Sequence, residues 1–173
     1  MILFLVGYAG SGKSSLAKRL SRKLGMKQLD TDKLVEEREG ASVADIFFYQ
    51  GEEYFRRSER EVIERLVDER FEGVVATGGG LAAWGDNMER MNEVGETIYL
   101  RRTPEQIMSR LSDYGREKRP MFRGKSDEEL VAFMREHMAE REPHYLKAKM
   151  VVECSSMSDS EALDVIAEGV KRD

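Results

Sequence analysis

The sequence predicts an α/β fold, a three-layer α/β/α sandwich around a central parallel sheet of about five strands. Three observations predict it. Short apolar runs alternate with segments of helical periodicity along all 173 residues. The stretches Gly7–Ser14, Asp30–Asp32 and Gly78–Gly80 each follow directly on such a run. No repeat, low-complexity tract or linker interrupts the pattern, so one domain over 1–173 is expected. Alternation of this kind builds parallel strands joined by right-handed helical crossovers. Ligands then bind beyond the carboxyl ends of the strands, so the three stretches should converge on one edge.

The elements follow in order. Met1 to Val6 (MILFLV) reads as a buried strand, and Lys13 to Leu24 as a helix with Leu16, Ala17, Leu20 and Leu24 on one face. Met26 to Leu29 is a second short strand, running into Asp30-Thr31-Asp32, and Lys33 to Arg38 is helical. Ser42 caps a helix through Ala44, Ile46 and Phe47. Glu52 to Phe71 is a longer helix with Phe55, Val62, Ile63 and Leu66 on its apolar side. Gly73 to Thr77 is a buried strand, and Glu96 to Leu100 is the next. Thr103-Pro104 opens a helix, with proline in its first turn. Ser126-x-x-Glu129 is a capping box for a helix to about Arg141. Met150 to Val152 is the last strand, and Ser158 caps a closing helix to Val170.

Gly7-Tyr8-Ala9-Gly10-Ser11-Gly12-Lys13-Ser14 is a complete G-x-x-x-x-G-K-[ST] phosphate loop, set between a strand and a helix. Its glycines let the backbone curl with N–H groups inward, and the helix N-terminus faces the same point. Gly10, Ser11, Gly12, Lys13, Ser14 and Ser15 are therefore the expected polyphosphate contacts of a bound ATP. Lys13 reaches the outer phosphates, and the Ser14 hydroxyl is placed for Mg²⁺. Tyr8 and Ala9 fill positions on which the motif makes no demand.

Composition narrows the classes. The chain is 40% hydrophobic and 35% charged, as expected of a folded soluble protein rather than a disordered one. No apolar stretch approaches the roughly 18–20 residues of a membrane span, and the first six residues are too short for a signal peptide. A net charge of −5 argues against nonspecific nucleic-acid binding. One cysteine, Cys154, excludes an internal disulfide, and two histidines besides it make a transition-metal site unexpected. A reducing cytoplasm suits this usage, and the absence of a heptad pattern suits a monomer. Inside this acidic chain, Arg110 to Lys125 holds six basic and two acidic residues, with Gly115, Pro120 and Gly124. A mobile lid closing over phosphates has this make-up.

Together, the phosphate loop, Asp30-Thr31-Asp32, Gly51-Glu52-x-x-Phe55-Arg56-x-x-Glu59, Gly78-Gly79-Gly80, Arg119-Pro120 and Arg141-x-Pro143-x-Tyr145 resemble the shikimate kinase family. The similarity runs over nearly the whole chain, in order. The phosphate loop alone is shared by many NTPases, whereas the other motifs are far more specific. The resemblance implies a P-loop NTPase fold of the nucleoside-monophosphate-kinase type, with a lid at about 110–125 and an acceptor-binding helical region at about 31–60. It implies transfer of the γ-phosphoryl group of ATP to the 3-hydroxyl of shikimate, with Mg²⁺, on the route to chorismate and the aromatic amino acids.

By the same resemblance, Lys13, Asp32 and Arg119 are the catalytic residues. Arg119 is the lid arginine facing the γ-phosphate, and Asp32 accepts a hydrogen bond from the acceptor hydroxyl. Asp30 holds Mg²⁺ through water, which suits the hydration of that ion. Arg56 and Arg141 grip the acceptor carboxylate, a task that suits planar guanidinium forks. Glu59, one turn along the helix, orients Arg56. Gly78, Gly79 and Gly80 let backbone approach the acceptor, and Phe47 and Phe55 wall its pocket. Arg110 and Arg116 are the two candidates for stacking on adenine, because the spacing ahead of the lid departs from the family's. The lid reads Arg119-Pro120-Met121-Phe122 where the family often has Arg-Pro-Leu-Leu, and it remains apolar. Two rivals share the architecture or the loop: a gluconate or nucleotide kinase, and a nucleotide-driven switch. The paired arginines favour a carboxylated polyol, and no N/T-K-x-D base-reading motif supports a GTPase.

Overall fold

The computed structural model describes residues 1–171. Five strands, β1 (Ile2–Val6), β2 (Lys27–Asp30), β3 (Gly73–Ala76), β4 (Glu96–Arg101) and β5 (Met150–Glu153), form one sheet in the order β2-β3-β1-β4-β5. All neighbours pair parallel, with Ile2 opposite Gly73, Leu3 opposite Glu96, Lys27 opposite Gly73 and Ile98 opposite Met150. β1 is central. The chain builds β2 and β3 on one side of it and then crosses to the other for β4 and β5. The end of β1, where the phosphate loop begins, is thus the switch point at which such sheets bind ligands.

Strand alternation creates two cores. Leu3 and Leu5 point to one face, where they meet Leu16, Ala17 and Leu20 of α1 (Lys13–Leu24) and Leu163, Ile166 and Ala167 of α9 (Asp159–Val170). Ile2, Phe4 and Val6 point to the other face. They pack with Val62, Ile63 and Leu66 of α4 (Glu52–Asp68), Ile107 of α6 (Pro104–Arg110), and Leu130 and Met134 of α8 (Asp127–Tyr145). This is the predicted three-layer sandwich. It explains why MILFLV is apolar at every position, since both faces of β1 are covered. α2 (Thr31–Glu39) and α3 (Val43–Gln50) pack against α4 beside the β2 edge.

Several boundaries differ from the sequence reading. α5 (Asn87–Val94) was not expected: its only apolar residues before the last are Met88 and Met91, and Asp86 at its start makes no side-chain cap. Both methionines are completely buried, so tertiary packing rather than propensity makes this helix. α2 begins at Thr31, two residues before Lys33, because the Asp30 side chain accepts from Asp32 N–H at 3.1 Å and caps it. α4 stops at Asp68, short of Phe71, and α8 runs through Pro143 to Tyr145, past Arg141. Within the basic segment 110–125, a short helix α7 (Asp113–Glu117) is capped by Ser112, and Phe122 plugs into the core at 1% exposure.

Candidate active site

The phosphate loop bridges β1 and α1. Gly10 and Gly12 adopt φ of 81° and 92°, which bends the loop around its own N–H groups. Lys13 is buried, and its Nζ donates to Gly7 O at 2.7 Å and Tyr8 O at 2.8 Å. Burial pulls its pKa from 10.5 down to about 8, against the pull of the Asp32 carboxylate. From behind, buried Arg102 donates to Ser11 O at 2.9 Å and to Asp159 at 2.8 Å. Arg110 forks onto both oxygens of the same Asp159 at 3.0 Å. This clamp fixes the loop against the start of α9. Its partners lie 49 to 91 residues apart in sequence, so no local signal announced it.

A cavity of about 510 Å³ opens in front of the loop. Its walls hold Gly10, Gly12, Lys13, Ser14 and Ser15, together with Asp30, Asp32, Gly78, Gly79, Arg110 and Arg119. The three stretches that follow strands therefore do converge on one edge. Ser14 Oγ donates to Asp30 Oδ2 at 2.8 Å, placing two hard oxygen donors side by side. Burial, then the charge of Asp30, raises the Asp32 pKa, with Lys13 and Arg56 opposing. Arg119 reaches in from the basic segment 110–125, anchored on Gly115 O at 2.7 Å and pulled below its ordinary pKa by burial.

Arg56, Gly80 and Arg141 line a second cavity of about 270 Å³, and its Gly80 follows directly on Gly79, which lines the first. Arg56 is 7% exposed and donates to Glu59 Oε2 at 2.6 Å, with Glu52 farther off at 3.4 Å. Glu59 is fully buried, and its second oxygen has no hydrogen-bond partner. Burial raises its pKa, and the Arg56 charge holds it back. Arg141 has no carboxylate within 4 Å among the described residues; its guanidinium carbon lies 6.0 Å from the Tyr8 ring centroid. The Phe47 and Phe55 rings meet tilted, 4.6 Å apart at 42°, and both lie near the Arg56 guanidinium, at 5.7 and 5.3 Å. They brace Arg56 and line neither cavity, and the same holds for Glu59. Arg57, beside Arg56 in the chain, is exposed to solvent.

Each glycine of 78–80 is required by a different neighbour. A Cβ on Gly78 would sit 2.6 Å from Asp32 Oδ1 and 2.7 Å from Glu59 Oε1. One on Gly79 would sit 2.9 Å from the backbone nitrogen of Ala9. One on Gly80 would collide with the Arg56 guanidinium. The Gly78 N–H is already used by Thr31 Oγ1 at 2.9 Å, a bond that ties the start of α2, and hence Asp32, to the end of β3. Tyr145 O–H donates to Gly79 O. Of the two adenine candidates, Arg110 lines the large cavity. Arg116 turns away from it, onto Asp127 at 2.6 Å and Lys125 O at 2.8 Å. No local signal marked Tyr8, Thr31, Arg102 or Asp159 as part of the site; only the cap read at Ser158 hinted at order near the last.

The family model for shikimate kinase matches residues 9–171. The chain belongs to the shikimate kinase family. A shikimate kinase of Phocaeicola vulgatus is 35% identical over 171 residues, covering 98% of this chain and 96% of the relative. The crystal structure of shikimate kinase from Bacteroides thetaiotaomicron superposes with a TM-score of 0.88 at 31% identity, over 99% of this chain and 98% of the other. Shikimate kinase from Acinetobacter baumannii, solved in complex with shikimate, gives 0.86 at 28% identity over 99% and 93%. As in other shikimate kinases, the fold here is the P-loop kinase fold that the resemblance implied.

Proposed function

We propose that this chain transfers the γ-phosphoryl group of ATP to the 3-hydroxyl of shikimate, giving shikimate 3-phosphate and ADP, on the route to chorismate. The observation that carries this reading is a pair of cavities lined by successive residues, Gly79 in one and Gly80 in the other. One holds the phosphate loop with Lys13, Asp32 and Arg119; the other presents Arg56 and Arg141 to an anionic acceptor. A carboxylate gripped in the second cavity leaves the ring hydroxyls of the acceptor at the boundary with the first. There Asp32 accepts a hydrogen bond from the attacking hydroxyl and takes its proton as the new P–O bond forms and the bond to ADP breaks. Lys13 and Arg119 neutralise the transferring group from opposite sides, and a loose transition state asks for little more than this placement.

The residues fit Mg²⁺. Ser14 would hold it directly and Asp30 through water, a donor set of hard oxygens that this ion prefers. Bound there, it would neutralise phosphate charge. Arg110 is the better placed partner for the adenine end of ATP. Residues 110–125 serve as a lid on a single kinase domain, and the protein works as a cytoplasmic monomer.

The decisive experiment is coupled ADP release with Mg-ATP and purified protein, comparing shikimate, gluconate and a panel of nucleoside monophosphates. Turnover with shikimate alone is the expected result. Turnover with another acceptor and none with shikimate would keep the phosphate-loop chemistry and overturn the carboxylate pocket.

A further inference from the structure

Tyr8 sits at a phosphate-loop position on which the motif makes no demand, yet it is 1% exposed and touches three parts of the site. Its hydroxyl lies 2.8 Å from His137 Nδ1 on α8. Its ring stacks on Phe122, three residues beyond Arg119, at 6.3 Å and 29°. The same ring faces the Arg141 guanidinium at 6.0 Å. His137 and Arg141 are one helical turn apart and therefore neighbours on α8. Both line the smaller cavity, with Glu52, Arg56, Glu140 and His144 around them.

The two anchoring arginines are held in different ways. Arg56 is fixed by a 2.6 Å ion pair to buried Glu59. Arg141 has no carboxylate within 4 Å among the described residues, so the Tyr8 face and, on its own helix, the Tyr145 hydroxyl are what direct it. That face turns with the Tyr8 ring, and the ring is pinned at its far end by His137. Burial keeps the Tyr8 hydroxyl protonated, and burial followed by the Arg141 charge keeps His137 neutral. The two neutral groups therefore share one hydrogen bond, whose direction follows the imidazole tautomer.

We propose that Tyr8 and His137 form a positioning pair that aims Arg141 at the carboxylate of the acceptor. The inference rests on the acceptor reading given above and adds how the second anchor is held. Because Tyr8 belongs to the phosphate loop, the pair also sets the acceptor anchor in register with the phosphoryl site. One residue then serves both ends, its backbone carbonyl holding Lys13 and its ring facing Arg141, and only the second is lost when the hydroxyl is removed.

A purely structural tyrosine would tolerate loss of its hydroxyl, so the test removes the hydrogen bond and keeps the ring. Tyr8→Phe and His137→Leu are each expected to raise the acceptor KM roughly three- to tenfold, the range of one lost hydrogen bond. The ATP KM and kcat should stay within about twofold of the parent. The double variant should be no worse than either single one, because both remove the same bond. His137→Asn, which restores a hydrogen-bonding amide near the Nδ1 position, should recover most of the parent KM. Unchanged acceptor KM in both single variants, additive effects, or parallel rises in both KM values would overturn the pair. A parent enzyme that fails to turn over shikimate would instead remove the acceptor reading and this inference with it.

Discussion

Replacing Gly80 by alanine isolates the role of Arg56 without touching Arg56. The new Cβ would lie 2.6 Å from the guanidinium carbon and 2.7 Å from Nη1. Carbon contacts are comfortable only from about 3.5 Å, so the guanidinium must retreat by about 1 Å. It has somewhere to go, being the end of a flexible side chain with Glu52 within reach at 3.4 Å. The fold should therefore survive, with a loss below about 1.5 kcal/mol. The site should not. Arg56 is braced by Glu59, Phe47 and Phe55, and a shift of this size in a positioned cation costs up to about 10²-fold in catalytic efficiency. The expected phenotype is a Tm near that of the parent, an unchanged ATP KM, and an acceptor kcat/KM down about 10- to 100-fold. The neighbouring glycines are the controls. In Gly79→Ala the clash is with Ala9 backbone at 2.9 Å, which cannot swing away, so stability falls first. Steady-state kinetics in both substrates and a thermal melt of each variant decide the matter. A Gly80→Ala enzyme with parental acceptor kinetics would refute the placement of Arg56 in the acceptor site.

The remaining predictions concern charge. The folded pKa of Lys13, about 8, lies below its ordinary 10.5, so its charge opposes folding at neutral pH and the penalty fades as pH climbs through that window. Lys13→Met should abolish turnover, and its stability relative to the parent should fall by about 2 kcal/mol between pH 7.5 and pH 10; a pH-independent difference in melts would contradict this. Asp32→Asn should lower kcat at least about 10²-fold with no loss of Tm, since burial already raises the pKa of Asp32 and its charge adds nothing to folding; parental turnover would remove it from the chemistry. Asp30→Asn keeps a capping oxygen for α2 but weakens the outer shell of Mg²⁺, so half-maximal activity should need about tenfold more magnesium or beyond; an unmoved Mg²⁺ titration would exclude it. Arg141→Ala should raise the acceptor KM and spare the ATP KM, whereas Arg56→Ala should also destabilise by about 3–5 kcal/mol by leaving Glu59 buried without its partner; equal melts for the two would argue against the buried pair.

What the sequence disclosed and what it withheld divide along one physical line. β1, α1 and the phosphate loop were legible because their signals are local: an apolar run, a helical stripe, and glycines at fixed offsets. The convergence of Asp32, Gly78 and Lys13 followed from chain order alone, since parallel strands put every strand end at the same edge. α5 stayed hidden because two methionines in a charged octapeptide become a core only when α4 and the sheet close over them. Thr31, Arg102, Asp159 and Tyr8 stayed hidden for a related reason, as each acts through a partner 47 to 129 residues away. Those four stand behind the groups to which the proposed function gives the chemistry. Thr31 sets the angle at which Asp32 leaves β2, Arg102 and Asp159 seat the loop behind Lys13, and Tyr8 bears on Arg141. Reactive groups are read from sequence because their chemistry restricts the residue type. Supporting groups are read only from the fold, because any residue that fills the space and completes the hydrogen bond will serve. On that reasoning, substitutions at Thr31 or Arg102 should alter turnover through misplacement of Asp32 and the loop, and Thr31→Ser, which keeps the acceptor oxygen for Gly78 N–H, should be far milder than Thr31→Val. Equal losses in kcat for the two would mean that the hydroxyl has no part in setting Asp32.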